Sequence, residues 1–338
     1  MKKRFFVLVF LLVFVFALLP TEVAFAEPSS GETEVYLGGT HLSVDLVGEG
    51  LVVLGFADVT TPDGTASPAR LSGVEVGDVL RSVDGIPIHT RYDVQRALDE
   101  SAGRPVSLSV YRDGRRLTLY AVPAYSARDG YLLGVYLKDG VQGVGTLTYV
   151  RCDTHAFAAL GHGVNDPDTE ELAAPYHATV YASRITDVVK GRAGEAGELK
   201  GTLLEGAPIG TVSANTQLGL YGLAEPAMYA ELPRVKVASR DEVKEGDAVV
   251  VCALTSDKPR YYAIRITACR KQSEAEPKGI SFRVTDNRLL SLTNGVVQGM
   301  SGSPILQDGK LIGAVTHVMM DDPSAGYGVY IDFMLEEG

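Results

Sequence analysis

The 338-residue sequence contains no tryptophan, only three cysteines and no long run of lysine or arginine. Its formal net charge is −11, whereas a surface that binds nucleic acid works through positive contacts that release counterions. Nucleic acid is therefore not an expected partner. Cys152, Cys252 and Cys269 allow one disulfide at most and have no CxxC spacing, so we expect no structural zinc site. A bridge between Cys252 and Cys269 is conceivable, but their strand-like surroundings suit small buried residues equally well.

Glycine and proline are abundant, at 37 and 16 residues, which is about 16% of the chain against an ordinary share of about 12%. Such a composition indicates a turn-rich protein that is mainly β. The length exceeds what one typical domain needs, so the sequence predicts two folded units.

The first residues have the layout of an export signal. Three basic residues at 2–4 precede fifteen apolar ones at 5–19, and Ala24-Phe25-Ala26 supplies a small-residue cleavage site. We therefore expect residues 1–26 to be a signal peptide and the protein to act outside the cytosol. The alternative is an uncleaved membrane anchor through residues 5–19, although a spanning helix needs about 20 residues.

Residues 33–123 have the pattern of one small domain. Strands are predicted over 51–56 and 79–83, and Thr90 with Asp93 resembles a capping box that opens a helix over 91–101. Two further strands on either side of Asp113-Gly114 are predicted to form a hairpin.

Part of this region resembles a PDZ domain of exported proteases, namely Ser67 to Leu80 followed by Ser82-Val83-Asp84-Gly85. PDZ domains hold a peptide's C-terminal carboxylate in a glycine-containing loop and add the peptide to a sheet as an extra strand. By position, the loop and strand are predicted to include Gly38, Gly39, Leu42 and Val44. The alternative is a PDZ-like domain that only packs against its neighbour.

From residue 131 to 338 the chain is predicted to form a β-barrel or a pair of barrels. Short strands recur there, with turn signals at Asp139-Gly140, Asn294-Gly295 and Asp308-Gly309. Residues 271–278 are polar and contain proline, which indicates an exposed loop.

The motif Gly299-Met300-Ser301-Gly302-Ser303-Pro304 places a serine hydroxyl in a tight turn near the end of the chain. A glycine at 299 allows the N–H groups of Gly299 and Ser301 to point at one spot, as an oxyanion hole requires. The alternative interpretation is a plain β-turn, in which glycine and serine are common.

A nucleophilic serine needs a base, and the candidates are the histidines at 41, 89, 155, 162, 177 and 317. His162 ends an apolar stretch and lies between two glycines, which suits a side chain exposed in a cleft. His317 lies on an alternating strand, where packing is the default role.

The third member of a catalytic triad is a carboxylate that orients the imidazole. Asp286 lies at a predicted strand end, fifteen residues before Ser301. Asp166 and Asp168 compete for this role, but they follow His162 so closely that a turn is the more natural interpretation.

Together these segments resemble the stage IV sporulation protein B family of PDZ-containing serine peptidases from endospore-forming bacteria. The resemblance implies Ser301 as nucleophile, His162 as general base and Asp286 as acid, in a chymotrypsin-like β-barrel peptidase domain over 131–338. The segments that carry it are Leu160-Gly161-His162-Gly163 with residues 166–169, Asn215-Thr216 with 219–222, and 297–304.

The resemblance further implies an exported endopeptidase that needs no cofactor and acts in the space between the two forespore membranes. Its expected substrates are itself and the extracytoplasmic part of a membrane protein that regulates an intramembrane metalloprotease, which leads to processing of a late sigma factor. The PDZ ligand would be the protein's own N-terminal region or a membrane protein. The alternative from another class is a catalytically inactive PDZ-containing module that tethers a membrane partner.

Overall fold

The computed structural model describes residues 33–138, 140–166, 172–173, 175–204, 206–255 and 258–338. The predicted export segment at 1–26 lies outside these ranges. Among the helices within them, none combines the length and the apolar character needed to cross a membrane.

Strands dominate the described ranges. In chain order they are β1 (Glu34–Leu37), β2 (His41–Gly48), β3 (Leu51–Phe56), β4 (Val59–Thr61), β5 (Gly64–Ala66), β6 (Val79–Val83), β7 (Ile86–Pro87), β8 (Val106–Arg112), β9 (Arg115–Ala121), β10 (Ala124–Ser126), β11 (Gly130–Leu132), β12 (Val135–Lys138), β13 (Val141–Arg151), β14 (Ala156–Ala159), β15 (Pro175–Val189), β16 (Glu198–Leu203), β17 (Gly210–Thr216), β18 (Gly219–Ala224), β19 (Arg234–Lys236), β20 (Gly246–Cys252), β21 (Arg260–Cys269), β22 (Ile280–Val284), β23 (Pro304–Gln307), β24 (Lys310–Val318) and β25 (Ala325–Tyr330). The helices are α1 (Pro68–Leu71), α2 (Arg91–Ser101), α3 (Pro226–Tyr229), α4 (Asn287–Thr293) and α5 (Ile331–Glu337), with a 3₁₀ turn at Arg240–Glu242.

Most of the chain forms two closed antiparallel barrels of six strands. The first barrel closes through the pairings β2–β13, β13–β14, β14–β18, β18–β17, β17–β15 and β15–β2. The second runs in the order β20-β21-β22-β25-β24-β23 and closes where β23 pairs with β20. The predicted mainly-β, chymotrypsin-like barrel architecture is therefore confirmed, in its two-barrel form.

Alternation along the strands explains why the barrels have filled interiors. In β21, Tyr262, Ile264 and Ile266 are buried while their neighbours are exposed, as the period of two in a strand requires. These side chains join the core of the second barrel, and Leu42, Val44 and Leu46 of β2 join that of the first.

The PDZ unit has a core of its own, built on the sheet β12-β3-β6-β8-β9 with α2 packed against it. The predicted capping box is present, because the Thr90 side chain accepts the Asp93 N–H and the Asp93 side chain accepts the Thr90 N–H. The hairpin of β8 and β9 is present as well. The PDZ fold over this region is therefore confirmed.

The limits of the two domains differ from the prediction of 33–123 and 131–338. Strands β1 and β2 belong to the first barrel, and the strand that completes the PDZ sheet beside β3 is β12, at residues 135–138. The PDZ unit is thus inserted between β2 and β13, which are neighbours in the barrel. The prediction was wrong here because the alternating apolar pattern of β2 suits either sheet equally well.

The same finding overturns the predicted peptide-binding loop at Gly38, Gly39, Leu42 and Val44. Leu42 and Val44 are 0% and 3% exposed in the core of the first barrel. Strand β2 pairs with β13 on one side and β15 on the other, so it has no free edge to which a peptide could add.

Two smaller expectations also need correction. Asn294-Gly295 is not a hairpin turn, because Asn294 ends helix α4 in the left-handed conformation with φ 62°. All three cysteines are free thiols, and Cys252 is fully buried, so the conceivable disulfide is absent.

Candidate active site

The serine motif forms the loop between α4 and β23. Gly299 and Gly302 both adopt positive φ angles, of 92° and 91°, so the backbone turns sharply on either side of Ser301. A Cβ at Gly302 would collide with the carbonyl oxygen of Thr146, so no larger residue fits there. We call residues 299–303 the nucleophile loop.

Strand β13 of the first barrel holds this loop through three of its carbonyl groups. The Thr146 N–H donates to Ser301 O at 3.0 Å, and the Thr146 hydroxyl donates to Gly299 O at 2.8 Å. The Thr148 hydroxyl donates to Gly302 O at 2.8 Å. Both threonines are fully buried, so these bonds do not compete with water.

Two amide groups of the loop have no internal partner in the part of the chain that the structure describes. Within the described residues, the N–H groups of Gly299 and Ser301 have no hydrogen-bond acceptor, whereas the Met300 N–H donates to Val297 O. Two free N–H groups on either side of one residue can together receive a developing oxyanion.

His162 lies in the turn that follows β14. Its Nδ1 is 2.8 Å from the carbonyl oxygen of Gly163. A carbonyl only accepts, so this bond assigns the proton to Nδ1 and leaves Nε2 free to take one up. Burial lowers the pKa of His162, although the bond to Gly163 acts against this shift. The imidazole is therefore neutral at neutral pH, as a general base must be.

Ser301 and His162 both lie near the C-terminal part of strand β24. The Ser301 hydroxyl donates to Thr316 O at 2.9 Å, and the next residue, His317, has its ring centroid 5.4 Å from that of His162. The predicted nucleophile and base thus each approach one of two adjacent residues of β24, Thr316 and His317. In this conformation the serine hydroxyl is bound to a backbone carbonyl and not to the imidazole.

Within the described ranges, Asp286 belongs to a hydrogen-bond network that includes neither His162 nor Ser301. Its carboxylate caps helix α4 by accepting the N–H groups of Arg288 and Leu289, and it also accepts from Ala263 N–H. Its oxygen lies 2.7 Å from the Arg288 guanidinium, which holds the pKa of Asp286 well below its usual range. In the described part of the chain, no hydrogen bond or ion pair joins Asp286 to His162. The structure therefore does not support Asp286 as the acid that orients the base.

The two competing carboxylates do not replace it. Asp166 pairs with Lys138 at 3.6 Å, and Asp168 lies outside the described residues. The group on Nδ1 of His162 is thus a backbone carbonyl, which orients the ring but carries no charge.

Sequence reasoning missed His317. Its Nδ1 is buried and has no partner among the described residues. Burial, the neighbouring His162 and Lys278 together lower the pKa of His317 to about 4. A neutral imidazole therefore lies beside the candidate base. In the sequence, His317 lies on an alternating strand and has the pattern of a packing residue. Its closeness to His162 joins segments that are far apart in sequence, so only the structure reveals it.

A second candidate site lies on the PDZ unit, away from the predicted loop. A groove of about 880 Å³ separates helix α2 from strand β12. Leu98 of α2 forms one wall, and Leu132, Gly134 and Val135 form the other. Strand β12 pairs only with β3 among the described strands, so its outer edge is open to an added strand.

Two barrels, a serine on a glycine-flanked turn and a histidine near the same strand are the features of the chymotrypsin-like class of serine peptidases. A family model described as SpoIVB peptidase S55 matches residues 129–335, and a PDZ domain model matches residues 64–112. The chain belongs to the SpoIVB peptidase S55 family, which confirms the resemblance found in the sequence.

Curated relatives match only part of this chain. A putative zinc metalloprotease of Brucella suis is 42% identical over 80 residues, which are 24% of this chain and 21% of that protein. The magnetosome formation protease MamE of Paramagnetospirillum magneticum is 42% identical over 81 residues, 23% of this chain and 10% of that protein. The chain thus spans about a fifth or less of the length of these relatives.

Solved structures show limited similarity. The active form of the Rv3671c protease from M. tuberculosis has 16% sequence identity and a TM-score of 0.36, over 58% of this chain and 72% of that one. The HtrA-type protease AlgW with a tripeptide has 13% identity and a TM-score of 0.34, over 58% and 54%.

The capping role of Asp286 makes a prediction about Asp286→Asn. Asparagine caps helices about as well as aspartate, so the fold should persist and the rate of labelling by a fluorophosphonate probe should stay within about threefold of wild type. Replacing an orienting aspartate by asparagine instead costs about 10⁴ in turnover. A loss on that scale, in a variant with a wild-type urea midpoint, would show that Asp286 is the acid after all.

Proposed function

We propose that the protein is a serine endopeptidase in which Ser301 is the nucleophile and His162 the general base. The observation that carries the proposal is that Ser301 binds Thr316 while His162 lies beside the next residue, His317, with Nε2 of His162 free of a proton. The free N–H groups of Gly299 and Ser301 support the oxyanion hole predicted from the sequence.

The reaction begins when the Ser301 hydroxyl leaves Thr316 O and turns toward His162. Nε2 takes the hydroxyl proton while Oγ forms a bond to the scissile carbonyl carbon, whose oxygen becomes an anion between the two loop N–H groups. His162 then gives the proton to the leaving amine, and the C–N bond breaks. Water repeats the sequence on the acyl-enzyme and releases the acid product.

The imidazolium formed in this reaction has an unusual setting. Gly163 O holds the Nδ1 proton and fixes the ring, but it supplies no negative charge of the kind that a triad aspartate provides. The neutral His317 beside it adds no repulsion. Orientation of the base therefore comes from the backbone.

A fluorophosphonate probe on the purified protein tests the assignment. Labelling should be lost in Ser301→Ala and kept in Ser303→Ala, because the Ser303 side chain is fully buried whereas Ser301 is partly accessible. His162→Ala should abolish labelling, while the control His155→Ala, whose ring stacks on Tyr229 instead, should not. If folded wild-type protein does not label, the chain is better explained as an inactive PDZ module that tethers a membrane partner.

Membership of the family supports a proposal for the cellular role. We propose that the protein is exported, by its N-terminal segment, to the space between the forespore membranes, where that segment is either removed or retained as an anchor. There it cleaves itself and the extracytoplasmic part of a membrane regulator of an intramembrane metalloprotease, which leads to late sigma-factor processing.

Exchange of genes in a spore-forming host tests this role. Wild-type protein should restore sigma-factor processing in a strain that lacks its own family member, and Ser301→Ala should not. Restored processing with the Ser301→Ala variant would contradict a proteolytic role in this cascade.

We also propose that the PDZ groove between α2 and β12 binds the C-terminus of a peptide, either the protein's own N-terminal region after cleavage or a membrane protein. The open edge of β12 can pair with an extended peptide, and the apolar wall suits an apolar last residue.

A substitution inside the groove tests this second proposal. The probe is a fluorescent hexapeptide with an apolar last residue and a free C-terminal carboxylate. Leu132→Glu should weaken its binding by about tenfold or more, because the new carboxylate repels the carboxylate of the peptide. Leu54→Glu is the matched control, since Leu54 is 46% exposed on β3 outside the groove. Fluorescence anisotropy measures both. Equal binding by the two variants, or equal binding of the amidated peptide, would contradict the proposal.

A further inference from the structure

A buried polar cluster lies behind the nucleophile loop and has no part in the reaction described above. It consists of His41 on β2, Thr146 on β13 and Cys252 on β20, which are 5%, 0% and 0% exposed. The Thr146 Oγ1 is 3.2 Å from His41 Nδ1, and His41 Nε2 is 3.7 Å from the Cys252 sulfur. The cluster therefore joins the two barrels.

The hydrogen bonds in this cluster have a defined direction. Gly299 O only accepts, so the single Thr146 hydroxyl proton is used there. Thr146 Oγ1 then accepts from His41 Nδ1–H, and His41 Nε2 contacts the Cys252 sulfur. The chain thus runs from the Cys252 thiol through His41 and Thr146 to Gly299.

The protonation states agree with this direction. Burial lowers the pKa of His41 to about 4, with hydrogen bonds to the backbone of Ala253 and Gly145 acting in the opposite sense. Burial also raises the pKa of Cys252 to about 12, so the thiol keeps its proton.

Gly299 is clamped on both sides. The carbonyl before it, Gln298 O, accepts the Leu199 N–H at 2.9 Å, and its own carbonyl accepts the Thr146 hydroxyl at 2.8 Å. The first bond fixes the peptide plane that carries the Gly299 N–H, and the second fixes the following plane, between Gly299 and Met300. Glycine has no Cβ, so at φ 92° its peptide planes rotate more easily than those of other residues. The two hydrogen bonds supply the restraint that a side chain would otherwise give.

We propose that Thr146, His41 and Cys252 are positioning residues of the oxyanion hole. Thr146 holds the carbonyl side of Gly299 while Leu199 holds the plane of its N–H, and together they keep the turn at Gly299 that aims this N–H at the oxyanion. The imidazole and the thiol hold the Thr146 hydroxyl in the rotamer that reaches Gly299. The inference rests on the proposed peptidase function, because it assigns these residues to that site.

Thr146 allows the effect on catalysis to be separated from the effect on folding. Its backbone N–H also donates to Ser301 O, and that bond survives any substitution of the side chain other than proline. Thr146→Val keeps the shape of the residue and removes only the hydroxyl, while Thr146→Ser keeps the hydroxyl. The two variants form a matched pair for the link to Gly299.

Cys252 offers the corresponding pair at the far end of the chain. Cys252→Ser keeps a donor for His41 Nε2, whereas Cys252→Ala removes it. Both replacements are smaller than or equal in size to cysteine, so neither overfills the core.

The experiment measures fluorophosphonate labelling rates, kcat and KM for a peptide substrate, and urea midpoints in wild type and the four variants. Losing one oxyanion donor outright costs about 10²–10³ in kcat, so a misaimed donor in Thr146→Val should cost about tenfold to hundredfold, with KM within about threefold. Thr146→Ser should stay within about threefold of wild type in kcat. Cys252→Ala should lower kcat in the same direction as Thr146→Val, and Cys252→Ser should restore it.

A double variant that combines Thr146→Val with Cys252→Ala completes the test. If the chain acts as a unit, Thr146→Val with Cys252→Ala should have about the kcat of Thr146→Val alone. Wild-type labelling rates in folded Thr146→Val and Cys252→Ala would overturn the positioning role, since a merely structural role lowers the urea midpoint without lowering kcat. No labelling of wild type would instead overturn the proposed peptidase function, so the two failures are distinguishable.

Discussion

The candidate site depends on the hydrogen bonds between strand β13 and the nucleophile loop. The serine belongs to a loop of the second barrel, yet three of that loop's carbonyl groups accept hydrogen bonds from Thr146 and Thr148 of the first. These bonds satisfy three carbonyls of the loop, while the N–H groups of Gly299 and Ser301 have no acceptor among the described residues. Because buried backbone carbonyls are costly to leave unpaired, the two barrels cannot separate here without disrupting the turn around Ser301.

The sequence predicts caps and turns correctly where the structure depends only on neighbouring residues. The Thr90 and Asp93 capping box, the hairpin at Asp113-Gly114 and the turn at Asp308-Gly309 each depend on residues a few positions apart. The glycines around Ser301 similarly predicted a sharp turn. In each case backbone geometry and short-range hydrogen bonds decide the outcome.

Signals that depend on a distant partner were not sufficient. Strand β2 has the same alternation that a PDZ strand would have, and only its pairing with β13 and β15 shows that it lies in a barrel. The predicted strand end and the family resemblance both indicate Asp286 as the acid, but aspartate before a short helix is also a common N-cap, and the structure shows it in that role. His317 could not be singled out, because its relation to His162 exists only in three dimensions.

The insertion of the PDZ unit has a consequence for how the chain folds. Strands β2 and β13 are neighbours in the first barrel, but residues 49–140 lie between them, so their pairing closes a very long loop. The entropy cost of loop closure grows with length, and non-local strand pairing slows folding. A PDZ unit that folds first brings its two ends together and converts the long loop into a short one. Folding of the inserted domain would then lower the entropy cost of pairing β2 with β13.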